Sequence, residues 1–357
     1  MKDEHSRLEW IDSIRAFAAI FVMALHLWGI AYADVSSPGH IAAAVNWSVY
    51  GIADIGKVGV IIFFAVSGFV IPCSLLRSGT NNLSRFVISR FFRLYPLYWA
   101  TIFIAVVIYG YAASMPQLLA NITMFQKFAG FEDIVGVFWT LQIELVFYIL
   151  CAVLFLFKTL DNEHTLYRSF YFFIAVALLM AFARYVLQRK LPVALPLSLS
   201  VMFFGFIWRR YLLNEGAVKQ RDIFICLCIF FVVLLPVTLL AYNSDMGFDE
   251  RWHHYYATYL FAIIFFIFFT KVFTVRNSVA AYLGKISYSI YLLHGLIGRP
   301  LLERLLQYKA ASPYLMLLIT ALGIIAVSSV TFYLIERPFI NLSRRINRRY
   351  EVATQRE

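Results

Sequence analysis

Charge is what this chain has least of. Only 14% of its 357 residues are Asp, Glu, Lys or Arg, against 62% hydrophobic residues. A soluble domain is about a quarter charged and about half apolar. Apolar surface in this proportion cannot all be hidden in a water-soluble chain of this size, and disorder, which needs low hydrophobicity, is excluded with it. Cysteine is scarce too: Cys73, Cys151, Cys226 and Cys228 lie in or beside apolar segments. Cys-x-Cys in such a segment is neither a zinc spacing nor a disulfide framework, so these residues are expected to pack as small apolar groups, with no metal site. Linkers, low-complexity stretches, internal repeats and an appended soluble domain are also missing. So are the alternating strands of about ten residues that a membrane barrel requires. What is present is a mean hydropathy of +0.75 and a series of long apolar runs. Lipid admits only helices or closed barrels, so the fold class is all-α and polytopic in a membrane.

A helix needs about 20 apolar residues to cross the hydrocarbon core. Ten runs qualify, at residues 14–33, 56–76, 94–113, 134–157, 169–187, 193–208, 223–242, 255–273, 286–306 and 313–335. They predict a transmembrane domain over 1–340 and a basic cytoplasmic tail over 341–357. The 31 Lys and Arg against 20 Asp and Glu fit basic cytoplasmic loops better than nucleic-acid binding. With both termini inside, 21 of these 31 basic residues fall in cytoplasmic segments and five in the opposite loops (Lys127, Arg189, Lys190, Arg251, Lys309). That is the positive-inside pattern of a multi-pass protein of a cytoplasmic membrane. Ala31-Tyr32-Ala33 mimics a signal-peptidase site. The acidic residues ahead of the run, and Arg15 and His26 within it, predict that the segment is retained as a span.

Ionisable groups inside a bilayer are functional candidates by default. Here they are Arg15, His26, Glu144, His294 and Arg299, with Lys57 near a span end. His26 follows Arg15 by eleven residues, roughly 16 Å along a helix, which puts it beyond the midplane. Glu144 reaches a similar depth from the other side. A carboxylate bonded to an imidazole fixes its tautomer and raises its basicity, as a general base requires; a His bonded to a backbone carbonyl for helix packing is the other reading. His294 could meet a ligand from the cytoplasm or bridge two helices. Arg299 balances Glu144 or a substrate, or snorkels outward with Arg304.

Arg90 and Arg93 are three residues apart in Ser84–Pro96, so a helix presents both on one side. Guanidinium forks suit phosphate oxygens, although basic residues before a span also simply obey the positive-inside rule. Pro96 is expected to start or kink the following span. Ser67-Gly68-Phe69 permits close approach of another backbone or of a ligand. Arg344, Arg345, Arg348 and Arg349 suit a solvated or headgroup-binding tail.

In chain order these pieces resemble the membrane-bound acyltransferase 3 family, which acylates sugars of bacterial envelope glycans. Leu8–Arg15 through His26 is similar to its opening motif, and Phe63–Ile71 to its second-span signature. Arg90-Phe-Phe-Arg93-Leu-Tyr-Pro96 is similar to its Arg-x-x-Arg motif, and Trp139 through Glu144 to its Trp-x4-Glu motif. Leu283–His294 and Ile335-Glu336-Arg337-Pro338 resemble its closing segments. Ser13 and Ser89 stand where a Gly and a basic residue are commoner.

The resemblance implies ten transmembrane helices, acetyl-CoA entering from the cytoplasm as acyl donor, and a stand-alone member without the fused SGNH hydrolase-like domain of many relatives. It implies His26 as general base or acyl carrier supported by Glu144, with the donor held at Arg90, Arg93, Arg15, Ser67 and His294. The acceptor is then a saccharide or lipid-linked sugar, acylated directly or through a separate extracytoplasmic transferase, and the other partner is the lipid bilayer. A membrane transporter or permease using the same Arg, His and Glu as a substrate or proton path is the alternative. No pair of broken helices in matching halves favours it.

Overall fold

The computed structural model describes residues 9–35, 39–76, 81–246, 251–308 and 312–354. Of the residues named or counted above, Lys2, Arg7, Leu8, Arg77, Lys309 and Arg356 lie outside them. No strand occurs among the described residues. The helices are α1 (Glu9–Ala33), α2 (His40–Asn46), α3 (Ile55–Val70), α4 (Cys73–Leu76), α5 (Asn82–Phe103), α6 (Met115–Thr123), α7 (Phe138–Leu156) and α8 (Glu163–Leu187). They continue with α9 (Ala194–Leu212), α10 (Gln220–Ala241), α11 (Trp252–Lys271), α12 (Ser278–Lys285), α13 (Ser287–Leu293), α14 (Arg299–Gln307), α15 (Pro313–Thr331) and α16 (Arg337–Thr354). Wider π-helical turns follow α2, α5, α13 and α15, at Trp47–Ile52, Ile104–Ile108, His294–Gly298 and Phe332–Glu336.

Eight helices among the described residues are long and apolar enough to cross a membrane, where the sequence led us to expect ten spans. The two expected segments outside that set are α9 and the stretch from α13 to α14. Both are helical, and each is less apolar for a physical reason. In α9, 14 of 19 residues are buried, so the helix faces protein on nearly every side and ends in Arg209 and Arg210. The other segment is interrupted at His294–Gly298 and continues in α14 with Arg299, Glu303 and Arg304. Pro96 neither starts nor ends a helix: α5 runs from Asn82 through it to Phe103. A proline lacks the N–H for one helical bond, and the helix tolerates the loss. The last helix likewise continues past residue 340, to Thr354.

The chain forms two compact units. The first comprises Met1–Leu25, Pro38–Cys73 and Val146–Gly284. Its centre is the crossing of α3 with α9, where the backbones nearly touch. A Cβ added to Gly68 would lie 1.8 Å from the Met202 carbonyl oxygen, and one on Gly205 would lie 2.2 Å from that of Ala65. Small residues allow this approach in membrane helices, which associate by close packing rather than by a hydrophobic driving force. Edge-to-face aromatic pairs surround the crossing, Trp10 with Phe69 at 5.7 Å and Phe147 with Phe203 at 5.4 Å.

The second unit comprises His26–Ser37, Ser74–Leu145 and Lys285–Glu357. In it α5 packs along α16, and α13 packs on α5 and α15. All seven residues of α13 are buried. This short helix is where the polar side chains of the unit converge.

Candidate functional site

His26 is exposed although its neighbours Leu25 and Leu27 are buried. Its ring centroid lies 5.0 Å from that of His294, with the planes inclined by 52°. His294 is 1% exposed and opens the π-helical turn after α13. Such turns widen a helix by one residue and recur at functional sites. Its Nδ1 lies 2.7 Å from the Tyr291 carbonyl and 3.3 Å from that of Ile290. Carbonyl oxygens only accept, so Nδ1 carries the proton of the neutral ring and Nε2 keeps its lone pair. Nε2 is buried and meets no hydrogen-bond partner among the described residues.

Tyr291 links this pair of imidazoles to α7. The Thr140 and Tyr291 hydroxyls lie 2.7 Å apart, and each also reaches the Val137 carbonyl, Thr140 at 2.9 Å and Tyr291 at 3.4 Å. Glu144, half-buried, lies one turn beyond Thr140 and therefore on the same side of α7. The loop ahead of α7 is pinned by side chains. The Asp133 carboxylate accepts from Gln126 at 2.7 Å and from Gln142 at 3.0 Å. Asn121, at the end of α6, donates to the Glu132 carbonyl and accepts from the Ile134 amide. Burial pushes the Asp133 carboxyl above the ordinary carboxylate range, against the bond from Gln126 and the charge of Lys127.

A second cluster lies on α5 and the elements around it. Arg90 donates to the Ser74 hydroxyl at 3.1 Å and rests 5.4 Å over the Phe86 ring. Arg93, one turn further on, faces Glu336 at 3.6 Å. The Glu336 side chain has no solvent exposure, and its other oxygen accepts from the Ser289 hydroxyl. Nearby, Asn347 on α16 donates to Ser89 at 2.9 Å, and Tyr288 donates to the Leu94 carbonyl at 2.8 Å.

The second unit thus contains His26, His294, Arg90, Arg93 and the helix face that carries Glu144, with His26 and His294 in ring contact. Arg15 and Ser67 belong to the first unit. There Arg15 pairs with Asp12 at 3.8 Å, and the glycine beside Ser67 serves the α3–α9 crossing. Arg299 turns outward and pairs with Glu303 at 2.8 Å, which resolves its two readings in favour of a surface role. Thr140, Tyr291, Ser289 and the buried Glu336 were not singled out by sequence reasoning. Their signal was the run of polar residues Ser287, Tyr288, Ser289, Tyr291 and His294 in an otherwise apolar segment. Glu336 stood one residue past the expected end of the last span. No group of three or more His, Cys, Asp or Glu side chains suited to a metal ion occurs among the described residues.

A family model described as an acyltransferase domain, that of the acyltransferase 3 family, matches residues 8–349. No curated protein and no solved structure matches the chain. The family match spans nearly the whole length, both units and every residue of the site. The chain belongs to the acyltransferase 3 family and is a multi-pass membrane acyltransferase.

Proposed function

We propose that the chain is an integral-membrane O-acyltransferase of the cytoplasmic membrane. It moves an acyl group, acetyl in the first instance, from cytoplasmic acyl-CoA to a hydroxyl of an envelope or exported saccharide. The observation that carries the reading is the exposed His26 deep within a span, beside the buried His294 and the hydroxyl pair of Thr140 and Tyr291. An imidazole that substrates can reach, within an apolar helix and backed by polar groups, has the features of a general base. His26 takes the proton of the acceptor hydroxyl. The oxygen attacks the thioester carbonyl, the C–S bond breaks, and the thiolate of CoA recovers the proton. Where donor and acceptor enter from opposite sides, His26 carries the acyl group between them, and the acceptor hydroxyl then releases it. Glu144 supports the imidazole, and His294 lies where the thioester end of the donor arrives.

The phosphates of CoA meet the basic face of α5 that carries Arg90 and Arg93, on the cytoplasmic side in a ten-span arrangement with both termini inside. Arg15 and Ser67 stay with the donor on the strength of the resemblance alone. A separate extracytoplasmic transferase is required only if the acceptor cannot reach His26.

The test uses purified protein in detergent with radiolabelled acetyl-CoA, with and without a membrane glycan extract. Wild type releases CoA and labels a glycan fraction. His26→Ala still binds acetyl-CoA but loses about a hundredfold or more in turnover, and Arg90→Ala binds the donor weakly. If the wild type neither binds nor consumes any member of an acyl-CoA panel, the reading falls in favour of transport.

A further inference from the structure

The two arginines of the Arg-x-x-Arg motif are one turn apart on α5, and each meets a polar partner. Arg90 donates to a neutral hydroxyl, that of Ser74. Arg93 faces a carboxylate, and that carboxylate is fully buried. An ionised carboxylate removed from water needs an opposite charge and hydrogen bonding, or it destabilises the fold severely. Glu336 has one of each: the Ser289 hydroxyl at one oxygen and the Arg93 guanidinium 3.6 Å from the other. The three residues come from three elements, α13, α5 and the π-helical turn after α15.

We propose that Arg93 is a positioning residue, whose charge is committed to Glu336 and whose role is to fasten α13 and the Phe332–Glu336 turn to α5. The helix so fastened carries Tyr291 and leads directly into His294, so the clamp sets the polar side of the candidate site. A guanidinium already facing a carboxylate presents a weakened field to a phosphate. The anion of the donor therefore gains less from Arg93 than an unpaired guanidinium would supply. The clamp stands on the geometry of Arg93, Glu336 and Ser289; only the statement about the donor anion rests on the donor reading above.

The test is a double-mutant cycle on the full chain in detergent, read by thermal melting and by acetyl-CoA binding. Arg93→Met strands the buried carboxylate and lowers the melting temperature by about 5 °C or more. In Arg93→Met/Glu336→Gln the stranded charge is gone, and most of the loss is recovered. Because Arg93→Met alone could fail to fold, the double variant is also judged by itself, and its folding where the single variant fails is the same recovery. In binding, Arg90→Met weakens acetyl-CoA by about tenfold, and the double variant loses less than Arg90→Met does. Additive losses in the cycle overturn the clamp. A well-folded double variant that loses acetyl-CoA as severely as Arg90→Met makes Arg93 a donor ligand and overturns the division of roles. If wild type binds no acetyl-CoA, the donor reading fails, while the melting cycle still decides whether Arg93 and Glu336 are coupled.

Discussion

The two units of the chain weight the packing of membrane helices differently. In the first, helices meet through absent side chains: Gly68 and Gly205 let α3 and α9 touch backbone to backbone. Two of its buried hydroxyls return to their own helices, Ser200 to the Leu197 carbonyl and Thr238 to Leu235, while Thr270, bonded to the Phe266 carbonyl, also accepts from the Trp208 indole of α9 at 2.8 Å. In the second, helices meet through polar side chains. From α13, Tyr288 reaches the backbone of α5, Ser289 reaches Glu336, and Tyr291 reaches Thr140 on α7. His294 then lies against His26. Interhelical hydrogen bonds in membranes contribute only about 0.6 kcal/mol each on average, so stability alone does not account for concentrating them on one seven-residue helix. Ionisable residues held inside a membrane protein mark function; the second unit holds His26, Glu144 and His294 with this polar helix, whereas the first, which buries Arg184, Arg210 and His254, is centred on an apolar crossing. Departure from simple packing rules is where chemistry is expected.

The sharpest way to break this contrast is to fill the glycine contacts. In Gly68→Val the new Cβ meets the Met202 carbonyl at 1.8 Å, and because the obstacle is backbone it cannot swing aside. A loss of about 3 kcal/mol or complete failure to fold is expected. Gly295, in the turn after His294, has nothing within 4 Å of the place a Cβ would occupy, and Gly295→Ala should stay within about 0.5 kcal/mol of wild type. Melting temperatures and size-exclusion profiles of the two variants decide the point. A stable, monodisperse Gly68→Val would mean that the α3–α9 crossing is looser than described.

A smaller effect sharpens the comparison from the polar side. Thr140→Val and Tyr291→Phe each remove one partner of a hydroxyl pair between helices and should cost about 1 kcal/mol. The double variant should fall short of the sum by at least about 0.5 kcal/mol, because the two deletions remove the same bond. Thr238→Val in the first unit removes a hydroxyl that serves only its own helix, and should change stability by less than about 0.5 kcal/mol. If all three losses are equal and the first two simply add, the second unit is no more polar in its energetics than the first.

Much of the scaffold was legible in the sequence, because apolar runs of about 20 residues have few other uses. The boundaries that failed did so for identifiable reasons. Pro96 suggested a helix start or a kink, and the start is excluded because α5 begins at Asn82: a single proline removes one backbone bond without forbidding the helix on either side. His26 and His294 stood out as charges in apolar runs, but nothing in their spacing foretold that one would be exposed and the other buried beside it. That depends on which residues of α13 turn inward and on the π-helical turn at His294, and neither follows from a hydropathy pattern. Glu336 was named only as part of a closing segment and given no role, because it stood one residue past the expected end of a span. The partner that explains its burial, Arg93, is more than 240 positions away in the chain.

The smallest effect concerns Asp133, which belongs to the loop ahead of α7 and lies outside the spans. Burial raises its carboxyl above the ordinary value of 3.8, in opposition to the bond from Gln126 and the charge of Lys127, while Glu132 adds to the rise. A carboxyl raised in the folded state binds its proton more tightly there than in the unfolded chain. Its contribution to stability is therefore complete below pH 3.8 and is lost as the pH climbs through the raised value. Asp133→Asn keeps an oxygen for the Gln126 and Gln142 amides and cannot titrate. The melting temperature of wild type minus that of Asp133→Asn should therefore be greatest at the acid end and decline as the pH rises across that window. A difference that grows with pH would mean that Lys127 and the two glutamines hold the carboxylate as an ion more strongly than burial opposes it. The loop would then be fastened by charge, whereas the α3–α9 crossing is fastened by contact.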